Sequence, residues 1–362
     1  MITKPTLLLD KDKCLQNVEE MCLKAQKNGV DFCPHFKTHQ SLEIGSWFKR
    51  FDVNKIAVSS LAMAEYFSSE WDDITVAFPI NILEIETINR LAGKIRLNLL
   101  VESTEAARIL NQHLENEVGF FIKIDTGYHR TGIASNGYKE IDAILEVASE
   151  SDRLEFKGFL THAGHSYNCR SKEEVLDIHN ENAALLGVLK YRYNDRLPGL
   201  IISVGDTPTC SIAEDFSMFD EIRPGNFVFY DLSQEQIGAC SFDQIAVALA
   251  CPIVAIHEER NEIVIYGGGI HFSKERLEDE NSGTIFGRVA ENKGNAWGNV
   301  IPKMFVKGLS QEHGIVSVPD SRLGNYKIGD ILMILPVHSC LTANLTGSYT
   351  TIGGETIGRF RF

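Results

Sequence analysis

The chain has 362 residues, with 35 lysines and arginines against 49 aspartates and glutamates, a net charge of -14, and 44% hydrophobic residues. So negative a surface repels phosphate backbones, which excludes nucleic acid as a natural partner, and the composition is that of a folded globular chain without disordered tracts. The first residues carry charge too early for a signal peptide and no run of about 18 apolar residues follows, so a cytoplasmic protein with no membrane partner is expected.

In chain order, residues 11–29 read as a helix closed by Gly29. Short apolar or β-branched runs then recur at 31–36, 55–60, 74–78, 95–102, 119–125, 154–163, 199–205 and 219–225. Amphipathic stretches lie between them. In 103–116, Ser103 or Thr104 caps a face of Ala106, Ile109, Leu110 and Leu114; in 171–194 the stripe is Val175, Ile178, Ala183, Leu185 and Leu189. Eight strands alternating with helices predict an α/β chain built as a (β/α)8 TIM-type barrel rather than an open sheet.

From about residue 236, "DQIAVALACPIVAIHE", "EIVIYGGG", "GIVSVPD" and "DILMILPVHSC" read as strands without long helices between them, a C-terminal mostly-β domain. The expected division is 1–235 and 236–362, with the first few residues free to pair with the β domain. Residues 281–299 read as an irregular excursion packed down by Trp297, "YGGG" as a turn, and Glu312 and His313 as solvated loop residues. The eight cysteines, at 14, 22, 33, 169, 210, 240, 251 and 340, show no C-x-x-C spacing, so reduced thiols are expected.

The chemically distinctive residues fall just past the proposed strand ends, on the barrel face that carries active sites. Lys37 in "CPHFKTHQS" follows the first strand, Arg130 in "DTGYHRTG" the fifth, "THAGHSY" the sixth, "VGDTPT" the seventh and "RPGN" the eighth. Loops after strands seven and eight commonly bind phosphate. Gly205, Asp206, Thr207, Thr209, Gly225 and Asn226 offer small residues, hydroxyls and backbone N–H donors for an anion. Two ordinary Gly/Pro turns would have the same composition; the lysine across the opening is what favours a cradle. A barrel-mouth lysine opposite phosphate donors suggests a Schiff base to pyridoxal phosphate, with His35 and His39 as candidates for surroundings that lower the lysine pKa. His338 and Cys340 stand two apart at the end of an apolar run, which in a strand puts both on one face. Imidazole and thiolate suit zinc, although two donors fall short of the usual three or four and buried packing competes.

Together, "PHFKTHQ", "GYHRTG", "THAGHSY", "VGDTPT", "EIRPGNFVFYD" and "PVHSCLTANL" resemble the D-serine dehydratase and D-threonine aldolase group of fold-type III, alanine racemase-like pyridoxal phosphate enzymes. The likeness runs from about Thr6 to beyond Asn344. It implies that Lys37 forms the imine with the cofactor, that Arg130 faces its phenolate oxygen, that Gly205, Thr207, Gly225 and Asn226 hold its phosphate, and that Tyr167 lines the pocket. It implies a homodimer in which a partner's β domain partly covers each barrel mouth. It also implies zinc at His338 and Cys340; in the aldolases of the group an aspartate replaces that cysteine and manganese serves, so Cys340 favours a dehydratase. The implied reaction takes D-serine or a related 3-hydroxy D-amino acid to a 2-oxo acid and ammonia. Retro-aldol cleavage of D-threonine is the alternative. Less favoured are a racemase, for which no second acid/base group is evident, and a non-catalytic pyridoxal phosphate-binding protein, against which the β domain counts.

Overall fold

In the computed structural model, which describes residues 2–361, β1 (Thr6–Leu9) and α1 (Lys11–Asn28) open the chain. The helix stops where Gly29 takes φ +65°, a left-handed conformation that glycine adopts with little strain, as the sequence predicts. There follow β2 (Asp31–Phe32), α2 (Leu42–Phe48), β3 (Ile56–Val58), α3 (Leu61–Phe67), β4 (Asp73–Pro79), α4 (Ile85–Ala92), β5 (Arg96–Val101) and α5 (Thr104–His113). Then come β6 (Val118–Asp125), β7 (Ile133–Ala134), α6 (Tyr138–Ser149), β8 (Leu154–Leu160), α7 (Lys172–Tyr193), β9 (Ile201–Val204), α8 (Thr207–Ile212) and β10 (Glu221–Ile222). Ser41, Ser60, Ser103 and Ser171 cap α2, α3, α5 and α7, each hydroxyl accepting a backbone N–H three residues on.

Eight of these strands form a parallel sheet in the order β2-β10-β9-β8-β6-β5-β4-β3, with β7 attached to β6. Its two edges meet. A parallel bridge joins His35 to Ala57; the Phe36 N–H donates to the Ala57 carbonyl at 2.8 Å and the Ala57 N–H to the Pro34 carbonyl at 3.0 Å. The sheet is thus a closed barrel, and all eight runs read from the sequence are in it. Strands covered on both faces become continuous apolar runs. β6 is buried at every position from Val118 to Ile124, with Lys123 the only charged residue among them.

The barrel belongs to one compact unit, Glu19–Gly225; a second comprises residues 2–18 and Asn226–Arg361. The second unit contains α9 (Leu232–Ile237), β11 (Val247–His257), β12 (Glu262–Tyr266), α10 (Gly269–Phe272), β13 (Leu277–Asp279), β14 (Gly283–Ile285), β15 (Gly287–Asn292) and β16 (Trp297–Leu309). It ends with β17 (His313–Ser317), α11 (Asp320–Leu323), β18 (Ile331–Pro336), α12 (Ser339–Thr346), β19 (Ser348–Thr351) and β20 (Thr356–Gly358). Its main sheet runs β12-β17-β16-β15-β18-β11-β1-β19-β20, and β12 pairs again with β11, so six strands close on themselves. β1 pairs antiparallel with β11 and parallel with β19.

Residues 281–299 are not the irregular excursion their composition suggests: they contain β14, β15 and the start of β16. Register shifts between β15 and β16, and Lys303 at φ +63°, break the alternation by which strands are recognised. "YGGG" does end β12, but the single turn α10 follows at once. Trp297 is buried, and Glu312 and His313 are exposed. All eight cysteines are free. Among the described residues no helix is long and apolar enough to cross a membrane.

Candidate active site

The segment carrying Lys37 leaves the barrel wall at its closing seam. Backbone hydrogen bonds hold it on both sides, from the His35 N–H to the Pro224 carbonyl at 2.9 Å and from the Phe36 N–H to Ala57. Phe36 is fully buried, its ring 5.0 Å from Phe48 and 5.2 Å from both Phe67 and Trp71. At Gly45 a Cβ would come within 2.9 Å of that ring. The residue before Lys37 is therefore fixed, and Lys37 itself is exposed at the C-terminal end of the strands. Its N–H donates to His35 Nδ1 at 3.3 Å, and the Gln40 amide donates to its carbonyl at 3.0 Å.

The charge of Lys37 is felt by two histidines. Burial, then Lys37 and Arg223, push the His35 imidazole well below its ordinary pKa. Burial and Lys37 do the same to His162, just past β8, with Arg130 and Lys123 adding to them against a hydrogen bond to the Gly205 carbonyl at 2.5 Å. A neutral imidazole that donates from Nδ1 presents Nε2 as a hydrogen-bond acceptor, and the same surroundings make His162 resist taking up a proton. His39 plays no such part. Its ring sits 4.4 Å from that of Phe36, and burial lowers its pKa to about 3. The cations of the mouth bear on these groups in turn: Lys37 and Arg223 on His35, Lys37, Arg130 and Lys123 on His162, and Arg223 and Arg130 on Lys123. Lys123, whose ammonium donates to the Ile124 carbonyl at 2.9 Å, is lowered to about 7 by burial and then by Arg223.

Arg130 is exposed and lies over the Tyr128 ring, 4.8 Å from its centroid. Asp125 shapes this loop, one carboxylate oxygen accepting from the Gly127 and His129 N–H groups at 3.0 Å. The loop is fastened to the one after β8 by the Thr126 and Thr161 hydroxyls, 3.0 Å apart, and by Tyr128, which leaves no room for a Cβ at Gly164.

Gly205 and Gly225 occupy places where a side chain would not fit. A Cβ on Gly205 would lie 2.7 Å from the Arg223 backbone, and one on Gly225 2.9 Å from the His35 carbonyl. The Thr207 N–H donates to the Tyr167 hydroxyl at 3.4 Å, while Thr207 Oγ1 is buried without a hydrogen-bond partner among the described residues. A buried hydroxyl so placed, between tight glycine turns and in an electropositive mouth, fits an anion such as a cofactor phosphate. Asn226 differs. Its side chain is committed to Asp231, Ser339 and Cys340, with the amide nitrogen 2.6, 3.1 and 3.4 Å from their acceptor atoms.

His338 and Cys340 do come together, but not as alternate residues of a strand. β18 ends at Pro336, because Asp231 accepts from the Ser339 N–H at 2.9 Å and starts α12 there; His338 is its N-cap and Cys340 lies in its first turn. The two side chains are hydrogen-bonded. Burial works against a charged His338, but the Cys340 bond and charge, with Asp231 and Glu275, raise it to about 9. Among the described residues there is no cluster of three or more His, Cys, Asp or Glu arranged to hold a metal. With that proton given up on binding, the pair offers an imidazole nitrogen and a sulfur, donors of a kind that suits zinc.

Comparison with known proteins agrees with this layout. The family described as "Alanine racemase, N-terminal domain" matches residues 9–233, and "Putative serine dehydratase domain" matches 246–352. A D-serine dehydratase of Dictyostelium discoideum is 30% identical, with 98% of this chain and 94% of that one aligned. The chain belongs to the D-serine dehydratase group of alanine racemase-like enzymes. Membership of that group makes it a D-serine dehydratase-like lyase, and pyridoxal phosphate is the cofactor expected of the fold family. The solved D-threo-3-hydroxyaspartate dehydratase of Delftia sp. HT23 superposes with a TM-score of 0.90 at 26% identity, covering 100% of this chain and 98% of that one. D-threo-3-hydroxyaspartate dehydratase is also solved as a cysteine-to-alanine variant in the metal-free form and as a histidine-to-alanine variant, the two positions being two apart in that chain. An alanine racemase of Clostridium difficile, 15% identical over the whole of both chains with a TM-score of 0.69, shows the shared fold alone.

Three residues of this electropositive mouth were not singled out from the sequence, although His162 lies in "THAGHSY" and Arg223 in "EIRPGNFVFYD": His162, Lys123 and Arg223. The signal for two of them was a lone cation inside an apolar run, in "GFFIKID" and "EIRPG".

Proposed function

We propose that the protein is a pyridoxal phosphate- and zinc-dependent dehydratase that converts D-serine, or a related 3-hydroxy D-amino acid, to a 2-oxo acid and ammonia. The observation that carries this reading is the hydrogen-bonded His338–Cys340 pair. It has the His-x-Cys spacing of the two residues changed in the variants of the hydroxyaspartate dehydratase, one of them metal-free.

Bound pyridoxal phosphate supplies an aldehyde for the Lys37 amine and an electron sink for the carbon that loses its proton. Lys37, on its rigid anchor, takes the α proton as general base. Thr207 Oγ1 and the backbone at Gly205, Gly225 and Asn226 would hold the phosphate, with the Tyr167 hydroxyl accepting from the Thr207 N–H. Arg130, which lies over the Tyr128 ring, would face the phenolate oxygen. His162 Nε2, an acceptor, steadies a donor in the mouth. His338 and Cys340 would hold zinc, whose Lewis acidity helps a 3-hydroxyl depart that leaves poorly by itself. Loss of the α proton and that hydroxyl gives an enamine, which water converts to 2-oxo acid and ammonia. The assembly we infer is a cytoplasmic homodimer.

Product analysis tests the reading: D-serine should yield pyruvate and ammonia, and a chelator should stop this without changing the cofactor absorbance. Cys340→Ala should do the same, lowering turnover by more than about 100-fold, since removing a ligand exceeds the loss for an outer-shell partner. Glycine and an aldehyde from D-threonine, with no 2-oxo acid from D-serine, would make the protein an aldolase; full turnover free of metal would remove zinc from the account.

A further inference from the structure

We infer that Asn226 is a positioning residue for the sulfur of Cys340, held in place by Asp231, and that its side chain is not part of the phosphate cradle. The inference rests on the reading of Cys340 as a metal ligand.

Asn226 is 4% exposed, and its amide nitrogen lies 2.6 Å from Asp231 Oδ2, 3.1 Å from Ser339 Oγ and 3.4 Å from Cys340 Sγ. An ionised carboxylate only accepts, so the atom 2.6 Å from it has to be the NH2 end of the amide; chemistry fixes the orientation. One N–H is thereby given to Asp231 and the other is free to reach Ser339 and the sulfur. Asp231, 1% exposed, is the hub. One of its oxygens caps α9 through the Gln234 N–H at 3.0 Å, and the other accepts from the Ser339 N–H at 2.9 Å and the Ser339 hydroxyl at 3.2 Å. The same carboxylate therefore positions both the first turn of α12, which bears Cys340, and the amide that donates to it.

A hydrogen bond donated to a thiolate steadies its negative charge and fixes its rotamer, and such outer-shell donors tune the ligands they touch. A residue that merely fills space would be expected to have both ends of its amide satisfied. Here the nitrogen has three acceptors while Oδ1 is buried with no partner among the described residues. Leaving a carbonyl unpaired costs free energy, and the donor end is what the arrangement retains.

The test uses the full-length protein loaded with Co2+, whose thiolate charge-transfer band reports the sulfur directly. Wild type should show a band that Cys340→Ala abolishes. Asn226→Ala should shift or weaken it and lower Co2+ affinity, by chelator competition, by about 10- to 100-fold, with the cofactor absorbance intact. Should Asn226→Ala not fold, Asp231→Asn keeps the shape and the α9 cap while withdrawing the acceptor shared by the Asn226 amide and Ser339, and should shift the band in the same sense. An unchanged band and affinity in these variants, beside a Cys340-dependent band in wild type, would overturn the positioning role. Loss of pyridoxal phosphate with undisturbed Co2+ binding would return the Asn226 side chain to the phosphate. Absence of any Cys340-dependent band in wild type would defeat the metal reading itself, and this inference with it.

Discussion

The two ends of the barrel use similar residues to opposite effect. At the N-terminal ends of the strands a cleft of about 510 Å³ is lined by cations that each have a carboxylate partner. Lys55 sits between Asp31 at 2.5 Å and Glu221 at 2.8 Å, Arg96 lies 3.4 Å from Asp73, and Lys157 pairs with Glu155. At the other end, Lys37, Lys123 and Arg130 crowd with Arg223, which reaches Glu221 only at 3.8 Å. There the histidines are forced neutral, one lysine titrates near 7, and the Thr207 hydroxyl is left without a partner. Balanced charge holds a structure together; unbalanced charge in a low-dielectric mouth attracts an anion. On the proposed reading the barrel separates a stabilising end from a binding end, where Asp125 and Glu102 offset the cations only in part, since Lys123 is still lowered.

If that contrast is right, removing a cation should have opposite signs at the two ends. Lys55→Met strands the Glu221 carboxylate, whose side chain is 3% exposed, and should destabilise the protein by about 3 kcal/mol in denaturant melts. Turnover per folded molecule should be unchanged. Lys123→Met should instead stabilise the cofactor-free protein by about 2 kcal/mol at pH 6, since a buried charge is replaced by an apolar chain of similar size. The pH dependence sharpens this. The folded pKa of about 7 lies below the ordinary 10.5, so between those values the unfolded chain binds a proton that the folded one does not. Stability then rises with pH across that window, and the penalty is complete below pH 7. The variant should lose that slope; a profile parallel to wild type would place the Lys123 charge elsewhere. The smallest expected effect is that of Thr207→Val. It removes a buried hydroxyl with no partner, so the cofactor-free protein should be unharmed while pyridoxal phosphate binds about 5- to 10-fold more weakly, the worth of one hydrogen bond. Equal losses in both states would make Thr207 a structural residue.

The barrel was legible because its physics is repetitive. Each strand is a short apolar run, and each of four helices begins at a serine whose hydroxyl accepts the expected N–H. Even β10, two residues long, was marked by the run that precedes "RPGN". The β unit was read less well where pairing is irregular: β15 and β16 shift register twice, and alternation fails as a guide where a bulge turns a side chain over. His338 and Cys340 were found by residue type but placed on a strand, because the bond that ends β18 comes from Asp231, more than a hundred residues earlier. His162 and Arg223 lay inside quoted motifs and Lys123 inside an apolar run, but their influence on one another comes from convergence in space, which no single stretch of sequence reveals.

The central claim is that the amine at the barrel's closing seam, and not the buried lysine nearby, joins the cofactor. Lys123 is a real competitor, since a pKa near 7 leaves much of its amine free to react at neutral pH. Borohydride reduction of the pyridoxal phosphate-loaded protein, followed by peptide mass mapping, decides between them. The account predicts a single reduced adduct on the peptide containing Lys37 and none in Lys37→Ala; an adduct on Lys123, or an undiminished one in Lys37→Ala, would contradict it.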